Sequence, residues 1–136
     1  MNKLIPFLVA CVILIACKEN QTTKASVDAT PSELSADTVA IYFINDQHGQ
    51  LDNFAKIKQI VDAERATNER VLLVCAGDIF SGNPIVDQYE EKGYPMIDVM
   101  NKTGFDISVI GNHEFDYGPE NLKNRMLQAE FEWVCA

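Results

Sequence analysis

The stretch "DISVIGNHEFDYGPENLKNRMLQAE", residues 106–130, holds one whole unit of structure. Its start, residues 106–110, is short, apolar and β-branched, which predicts a buried strand. Its end, "GPENLKNRMLQAE", puts Pro119 in a first helical turn and sets Leu122, Met126 and Ala129 on one face, which predicts a helix facing a core. Between them "GNHEFDYG" packs an Asn, a His and two carboxylates between glycines. That octet is either a polar turn closing the strand or the edge of a working site.

The same succession recurs upstream. "TVAIYFI" (38–44) and "RVLLVCA" (70–76) each predict a strand buried on both faces, because neither alternates with polar residues. "LDNFAKIKQIVDAERAT" (51–67) predicts a helix with Phe54, Ile57 and Val61 inward, Lys56, Gln59 and Asp62 outward, and Asp52 as its N-cap. "GDIFSGNP" (77–84) reads as a loop, and "YPMIDVMNKTG" (94–104) as a short helix running from Pro95 to a stop at Gly104. "FEWVCA" (131–136) opens a fourth strand. The fold class expected is α/β, in parallel β-α-β-α-β-α-β order with right-handed crossovers. Such a partial sheet leaves an edge and a face uncovered, so the expectation is the front part of a longer, incomplete domain.

The first residues read differently. Residues 1–16, "MNKLIPFLVACVILIA", carry one cation, Lys3, and then an uncharged apolar run, the layout of a secretory signal. A transmembrane anchor needs roughly 20 apolar residues, and Lys18-Glu19-Asn20 ends the run sooner. "LIAC", Leu14–Cys17, resembles the bacterial lipoprotein cleavage box; "LVAC", Leu8–Cys11, fits it too but leaves a shorter apolar core. Cys17 is therefore the expected lipidation site. Each buried CH₂ of an acyl chain contributes about 0.8 kcal/mol, which ties a soluble domain to a bilayer. Residues 17–37 are rich in Thr, Ser and Ala and lack aromatics, and read as a flexible tether spanning on the order of 25 Å. Residues 38–136 form the remaining, folded segment. The expected localisation is that of an exported, membrane-anchored lipoprotein, periplasmic or at the cell surface. Lys18 after the Cys, where the enterobacterial inner-membrane retention signal has Asp, leans towards the outer membrane.

The formal net charge is −9, and removing residues 1–16 takes one Lys and no acid, leaving −10. No basic patch remains to neutralise phosphates, so no nucleic-acid polymer is expected as a partner. Of the four cysteines, Cys75 and Cys135 lie beyond the leader in strand-like runs and read as buried small hydrophobes.

The polar residues fall where the topology concentrates them. Asp46 and His48 follow the first strand, Asp78 the second, and Asn112, His113 and Asp116 the third. In a parallel sheet the carboxyl ends of the strands share one rim, where ligands bind. Each cluster alone suits a capping turn, and Asn112 alone suits a turn residue with left-handed backbone. Yet the chain has only two histidines, and both sit at such strand ends. Jointly they point to a metal site. Mixed His, Asp and Asn donors without a nearby Cys suit Zn²⁺, Mn²⁺ or Fe²⁺. A two-ion centre requires a bridging carboxylate, for which Asp78, on the middle segment, is the candidate. Gly77 and Gly111 let the backbone turn where a side chain would crowd.

Taken together, "NDQHGQL", "AGDIFSGNP" and "GNHEFDYG" resemble the D-x-H, G-D and G-N-H-[ED] motifs of the calcineurin-like metallophosphoesterases. The nearer likeness is to the 5′-nucleotidase branch, which includes UDP-sugar hydrolases and 2′,3′-cyclic nucleotide phosphodiesterases. It covers residue 38 to the end. It implies the N-terminal part of an αββα sandwich and a centre of two divalent metal ions, Zn, Mn or similar. Asp46 and His48 would bind the first ion, Asp78 would bridge, and Asn112 would bind the second. His113 would act on the transition state, held by Asp116 as a catalytic pair, while Glu114, Phe115 and Tyr117 take turn and packing roles. The implied reaction is hydrolysis of a nucleotide or other phosphoester by metal-activated water. The family's later histidines, in G-H and G-H-x-H motifs, and its nucleoside-binding C-terminal domain are absent, which implies a piece with little turnover alone. The alternatives are a non-catalytic surface lipoprotein with a degenerate domain and a thiosulfohydrolase-like relative on the same fold.

Overall fold

The computed structural model describes residues 38–135. The leader at 1–16, the lipidation site Cys17 and the tether at 17–37 therefore lie outside the described residues. Four strands, β1 (Ala40–Ile44), β2 (Val71–Cys75), β3 (Ile107–Val109) and β4 (Glu132–Val134), form one parallel sheet in the spatial order β1-β2-β3-β4. Ala40 pairs with Val71 and Ile44 with Cys75, Val74 with Ile107, and Val109 with Val134. The helices α1 (Phe54–Arg65), α3 (Tyr94–Thr103) and α4 (Pro119–Gln128) supply the crossovers, and a short α2 (Pro84–Asp87) sits within the β2–α3 connection. Among the described residues no helix is long and apolar enough to cross a membrane.

With strands added in one direction, right-handed crossovers put every connecting helix on the same face. Burial follows. Leu73 is fully buried in one core with Phe54 and Val61 of α1, Met96, Ile97 and Met100 of α3, and Cys75, Phe105, Leu122 and Phe131. The opposite face is open: Ile41, Leu72, Val109 and Val134 are exposed, and Phe43 is 71% exposed. Strands β1 and β2 are thus covered on one face only among the described residues, against the expectation of burial on both. An apolar run reports what a strand prefers to bury and carries no information on which layer covers it.

Local signals set the ends. Gly104 adopts left-handed backbone (φ 85°) and closes α3, its N–H meeting the Met100 and Asn101 carbonyls while Phe105 N–H reaches Met100 and drops the Phe105 ring into the core. Asp106 then ties β3 to β2: its N–H meets the Leu73 carbonyl at 2.9 Å, and its carboxylate accepts the Leu73 N–H and the Arg65 guanidinium, each at 2.7 Å. Several expectations need correction. The residue preceding α1 is Asn53, not Asp52, and its side chain makes no cap. Met126 is part-exposed, and the buried positions of α4 are Leu122 and Arg125, whose guanidinium bonds Glu91 and lies over the Tyr94 ring. Cys135 is exposed, since it falls past the last residue of β4; Cys75 is buried as expected, and that burial pushes its thiol pKa up.

Candidate active site at the carboxyl rim of the sheet

The loops after β1, β2 and β3 are bound to one another along the rim. The N–H groups of Asp46, His48 and Gly49 donate to the carbonyls of Gly77, Asp78 and Ile79 at 3.2, 3.1 and 2.9 Å. The His113 N–H donates to Asp78 Oδ1 at 3.0 Å. His48 and His113 meet edge to face with ring centroids 4.5 Å apart. Side chains from three segments of sequence thus stand in one place.

The backbone there is unusual. Among the described residues, left-handed backbone outside glycine occurs at Asp46, His48, Asp78 and Ser81, with φ of 51°, 45°, 55° and 55°. A side chain in that region costs roughly 1–2 kcal/mol, and such strain gathers at functional sites, where surrounding contacts hold it. Asn112 is the contrast. Its φ of −76° is right-handed, so its side chain is not explained by a left-handed turn.

The two glycines flagged in the sequence let loops approach. A Cβ on Gly77 (φ 93°) would lie 3.0 Å from the Gly111 N, and one on Gly111 would lie 2.9 Å from both Cγ and N of Asp78. What a side chain at Gly111 would crowd is Asp78 itself.

Glu114 is more than a turn residue. It is fully buried, and its carboxylate accepts the N–H groups of Asp78 (3.0 Å), Ile79 (2.7 Å) and Gly111 (2.6 Å). It clamps the β2 loop to the β3 loop directly behind Asp78. The missed signal was the acid in "GNHE" followed by an exposed Phe: Phe115 faces solvent, so the short 3₁₀ turn His113–Phe115 buries the charge instead. Tyr117 also does more than pack. Its hydroxyl accepts the Ser81 N–H at 3.1 Å and donates to Asp87, and burial raises its pKa with Asp87 adding to the shift.

His113 Nδ1 lies 2.7 Å from Asp116 Oδ2, three residues on. The Asp116 hydrogen bond raises the pKa of His113. Asp116 is lowered, first by the Ser81 hydroxyl, which donates to it at 2.5 Å, and next by His113. With Nδ1 engaged, the imidazole has Nε2 left for a ligand. Asp46, His48, His113 and Asp116 all keep a third or more of their side chains exposed, so the rim is accessible.

The donor chemistry admits a divalent cation. His48 Nε2 and Asp46 Oδ1 stand 3.8 Å apart, close to the roughly 3.0–3.5 Å that separates neighbouring donors on an ion with bonds of about 2.1 Å. Asp78 Oδ1 faces the same rim, and Asn112 is exposed on it. Among the described residues no three His, Cys, Asp or Glu side chains form a ready-made cage.

Acids, imidazoles and an amide thus gather at the carboxyl rim of a parallel sheet, the edge at which ligands bind in open α/β folds. The chain belongs to the calcineurin-like phosphoesterase family, whose model matches residues 39–134. Members of that family are metal-dependent, generally with divalent ions. Over 87 residues the chain is 34% identical to the 2′,3′-cyclic-nucleotide 2′-phosphodiesterase/3′-nucleotidase of Haemophilus influenzae, an alignment covering 60% of this chain and 13% of that protein. Its fold matches the calcineurin-like phosphoesterase YfkN of Bacillus subtilis (TM-score 0.60, 28% identity, 71% of this chain and 36% of that one). It also matches a 5′-nucleotidase precursor of Thermus thermophilus (TM-score 0.62, 26% identity, 71% and 21%). The chain thus spans between about an eighth and a third of the length of these relatives.

Proposed function

We propose that this chain is the front part of a dinuclear metallophosphoesterase of 5′-nucleotidase type, which hydrolyses nucleotides to nucleoside and phosphate. The observation that carries the reading is the meeting of His48, Asp78 and His113, from three strand ends, at one accessible rim. Asp46 and His48 would hold one ion, Asp78 both, and Asn112 the second through its amide oxygen. Bound ions would supply an activated water and neutralise charge on the phosphoryl oxygens. Asp116 fixes the proton of His113 on Nδ1, so that Nε2 presents to the phosphoryl and leaving oxygens. His113 and Asp116 are the catalytic pair in this reading, and the donors present supply only part of each ion's shell.

For residues outside the described region the proposal follows the sequence: a signal at 1–16, a lipid on Cys17, a tether to residue 37, and anchorage at a membrane facing the periplasm or the exterior. Loss of radiolabelled palmitate incorporation in Cys17→Ala tests the anchor. The rival reading, a non-catalytic lipoprotein with a degenerate domain, draws on the lack of a ready-made cage among the described residues.

The deciding experiment uses the full-length protein with Mn²⁺ or Zn²⁺, assayed on AMP and on bis-p-nitrophenyl phosphate. Hydrolysis should vanish with chelator and return with metal. His113→Ala should lower kcat by about 10²–10⁴-fold while metal content holds. Full activity in that variant, or turnover untouched by chelator, would overturn the proposal. A well-folded protein that binds metal without turnover would favour the rival.

A further inference from the structure

Ser81 lies in the "AGDIFSGNP" stretch but outside its G-D motif, yet its hydroxyl reaches the middle of the His113–Asp116 pair. Ser81 Oγ lies 2.5 Å from Asp116 Oδ2 and 3.3 Å from His113 Nδ1. His113 Nδ1 is itself 2.7 Å from the same Asp116 oxygen. Three polar atoms therefore stand in a closed triangle. A carboxylate oxygen can only accept, so both other members turn their protons to it: Nδ1–H from the imidazole and O–H from the serine. A length of 2.5 Å is that of a charge-assisted O–H···O⁻ bond.

The serine comes from the β2 loop, whereas the His and Asp come from the β3 loop, so nothing local to the pair places it. Its position is held at a cost. Ser81 has φ of 55°, a conformation disfavoured for a residue with a Cβ. The peptide is locked there by Ser81 N–H to the Tyr117 hydroxyl (3.1 Å), by the Tyr117 hydroxyl on Asp87, and by Gly82 N–H on both Asp87 oxygens (3.3 and 3.2 Å). Two side chains, Tyr117 and Asp87, from two loops converge to hold one strained serine against one carboxylate.

We infer that Ser81 is a positioning residue for the catalytic pair: its hydroxyl anchors Asp116 Oδ2 against His113 Nδ1, fixing the imidazole as the Nδ1–H tautomer with Nε2 outward. Without it, Asp116 is free to rotate about its side-chain torsions and the ring loses its fixed orientation. The effect on turnover rests on the phosphoesterase reading; the effect on the imidazole does not.

Two variants keep the test open. Ser81→Gly removes the hydroxyl and also relieves the left-handed strain, so it folds at least as well; Ser81→Ala removes the hydroxyl and keeps the strain. The chain has only two histidines, so ¹⁵N-histidine spectra of the full chain separate their rings. At a pH above the end of the His113 titration, where its ring is neutral, the wild type should show His113 as one Nδ1–H tautomer. Both variants should show it exchanging between tautomers, with His48 unchanged. An unchanged His113 spectrum in both variants overturns the inference whether or not the protein proves to be a phosphoesterase. In the active full-length protein, each variant should lose kcat on the order of ten-fold with KM held within about two-fold. In an Asp116→Asn background the same changes should cost nothing further, because Ser81 acts through Asp116. An undiminished ten-fold loss in that background would assign Ser81 a role of its own and overturn the inference.

Discussion

Replacing Glu114 tests the clamp behind the site more severely than replacing any exposed rim residue. Its carboxylate accepts three backbone N–H groups, of which Ile79 is fully buried and Asp78 and Gly111 are partly so. Glu114→Ala strands those donors. A buried donor left unmade costs about 1–3 kcal/mol; with the two part-buried donors at the low end, the sum is on the order of 3–5 kcal/mol. Glu114→Gln keeps one acceptor oxygen. Placed at the Oε2 position, it retains the Asp78 and Gly111 bonds and turns an NH₂ group towards Ile79 N–H. That variant should lose about 1.5–3 kcal/mol. Trp133, the chain's single tryptophan, sits half-buried in β4 with its ring 5.3 Å from Phe131 and reports unfolding by fluorescence. With m near 1 kcal/mol/M in urea for a domain of this size, Glu114→Ala should move the midpoint down by about 3 M or more, and Glu114→Gln by about half that. The exposed Glu120→Ala serves as control and should not move it. A shift below about 1 M for Glu114→Ala would show that water replaces the carboxylate at the three amides and would refute the clamp.

Three further outcomes follow from the same geometry. Tyr117→Phe removes the acceptor of Ser81 N–H and the donor to Asp87; it should cost about 1–2 kcal/mol and speed amide exchange at Ser81 and Gly82. Gly111→Ala places a methyl against an Asp78 whose carboxyl is fixed by His113 N–H and whose amide is fixed by Glu114. With Asp78 in its proposed role as a metal ligand, Mn²⁺ affinity, measured by calorimetry, should fall by about 10–100-fold, the effect of losing a ligand's support. Asp116→Asn removes the main cause of the raised His113 pKa, so the His113 titration followed by NMR should move down towards about 6.5. The sign for stability follows from the wild-type shifts. His113 stabilises the fold fully below about pH 6.5 and ceases to as pH rises through its raised value, whereas Asp116 stabilises above about pH 3.8 and ceases to as pH falls through its lowered one. Asp116→Asn should flatten both limbs.

The order of elements was legible because each carries its own local signal. Pro95 and Gly104 bound α3 and Pro119 opens α4, while β-branched runs mark β1 to β3. The missed elements had weaker signals. Helix α2 is a single turn, capped by the Asn83 side chain accepting Ile85 N–H, inside a segment whose glycines and proline read as loop. Arg125 lies off the Leu122, Met126 and Ala129 face expected to meet the core, and is buried where Glu91 of the α2–α3 connection and Tyr94 of α3 meet it.

The same division runs through the site. Sequence alone determined which residue types could do chemistry and, through parallel topology, that Asp46, His48, Asp78, Asn112, His113 and Asp116 belong to one rim. Periodicity and strand ends are local properties, readable within a few residues. Only the tertiary structure decided that Glu114 faces inward to bind three amides, that Gly111 is a glycine because Asp78 lies against it, and that a serine 35 residues from Asp116 in sequence donates to its carboxylate. Those are contacts between loops distant in sequence. Their energies come from desolvation and from hydrogen-bond geometry, which exist only once the strands have brought the loops together.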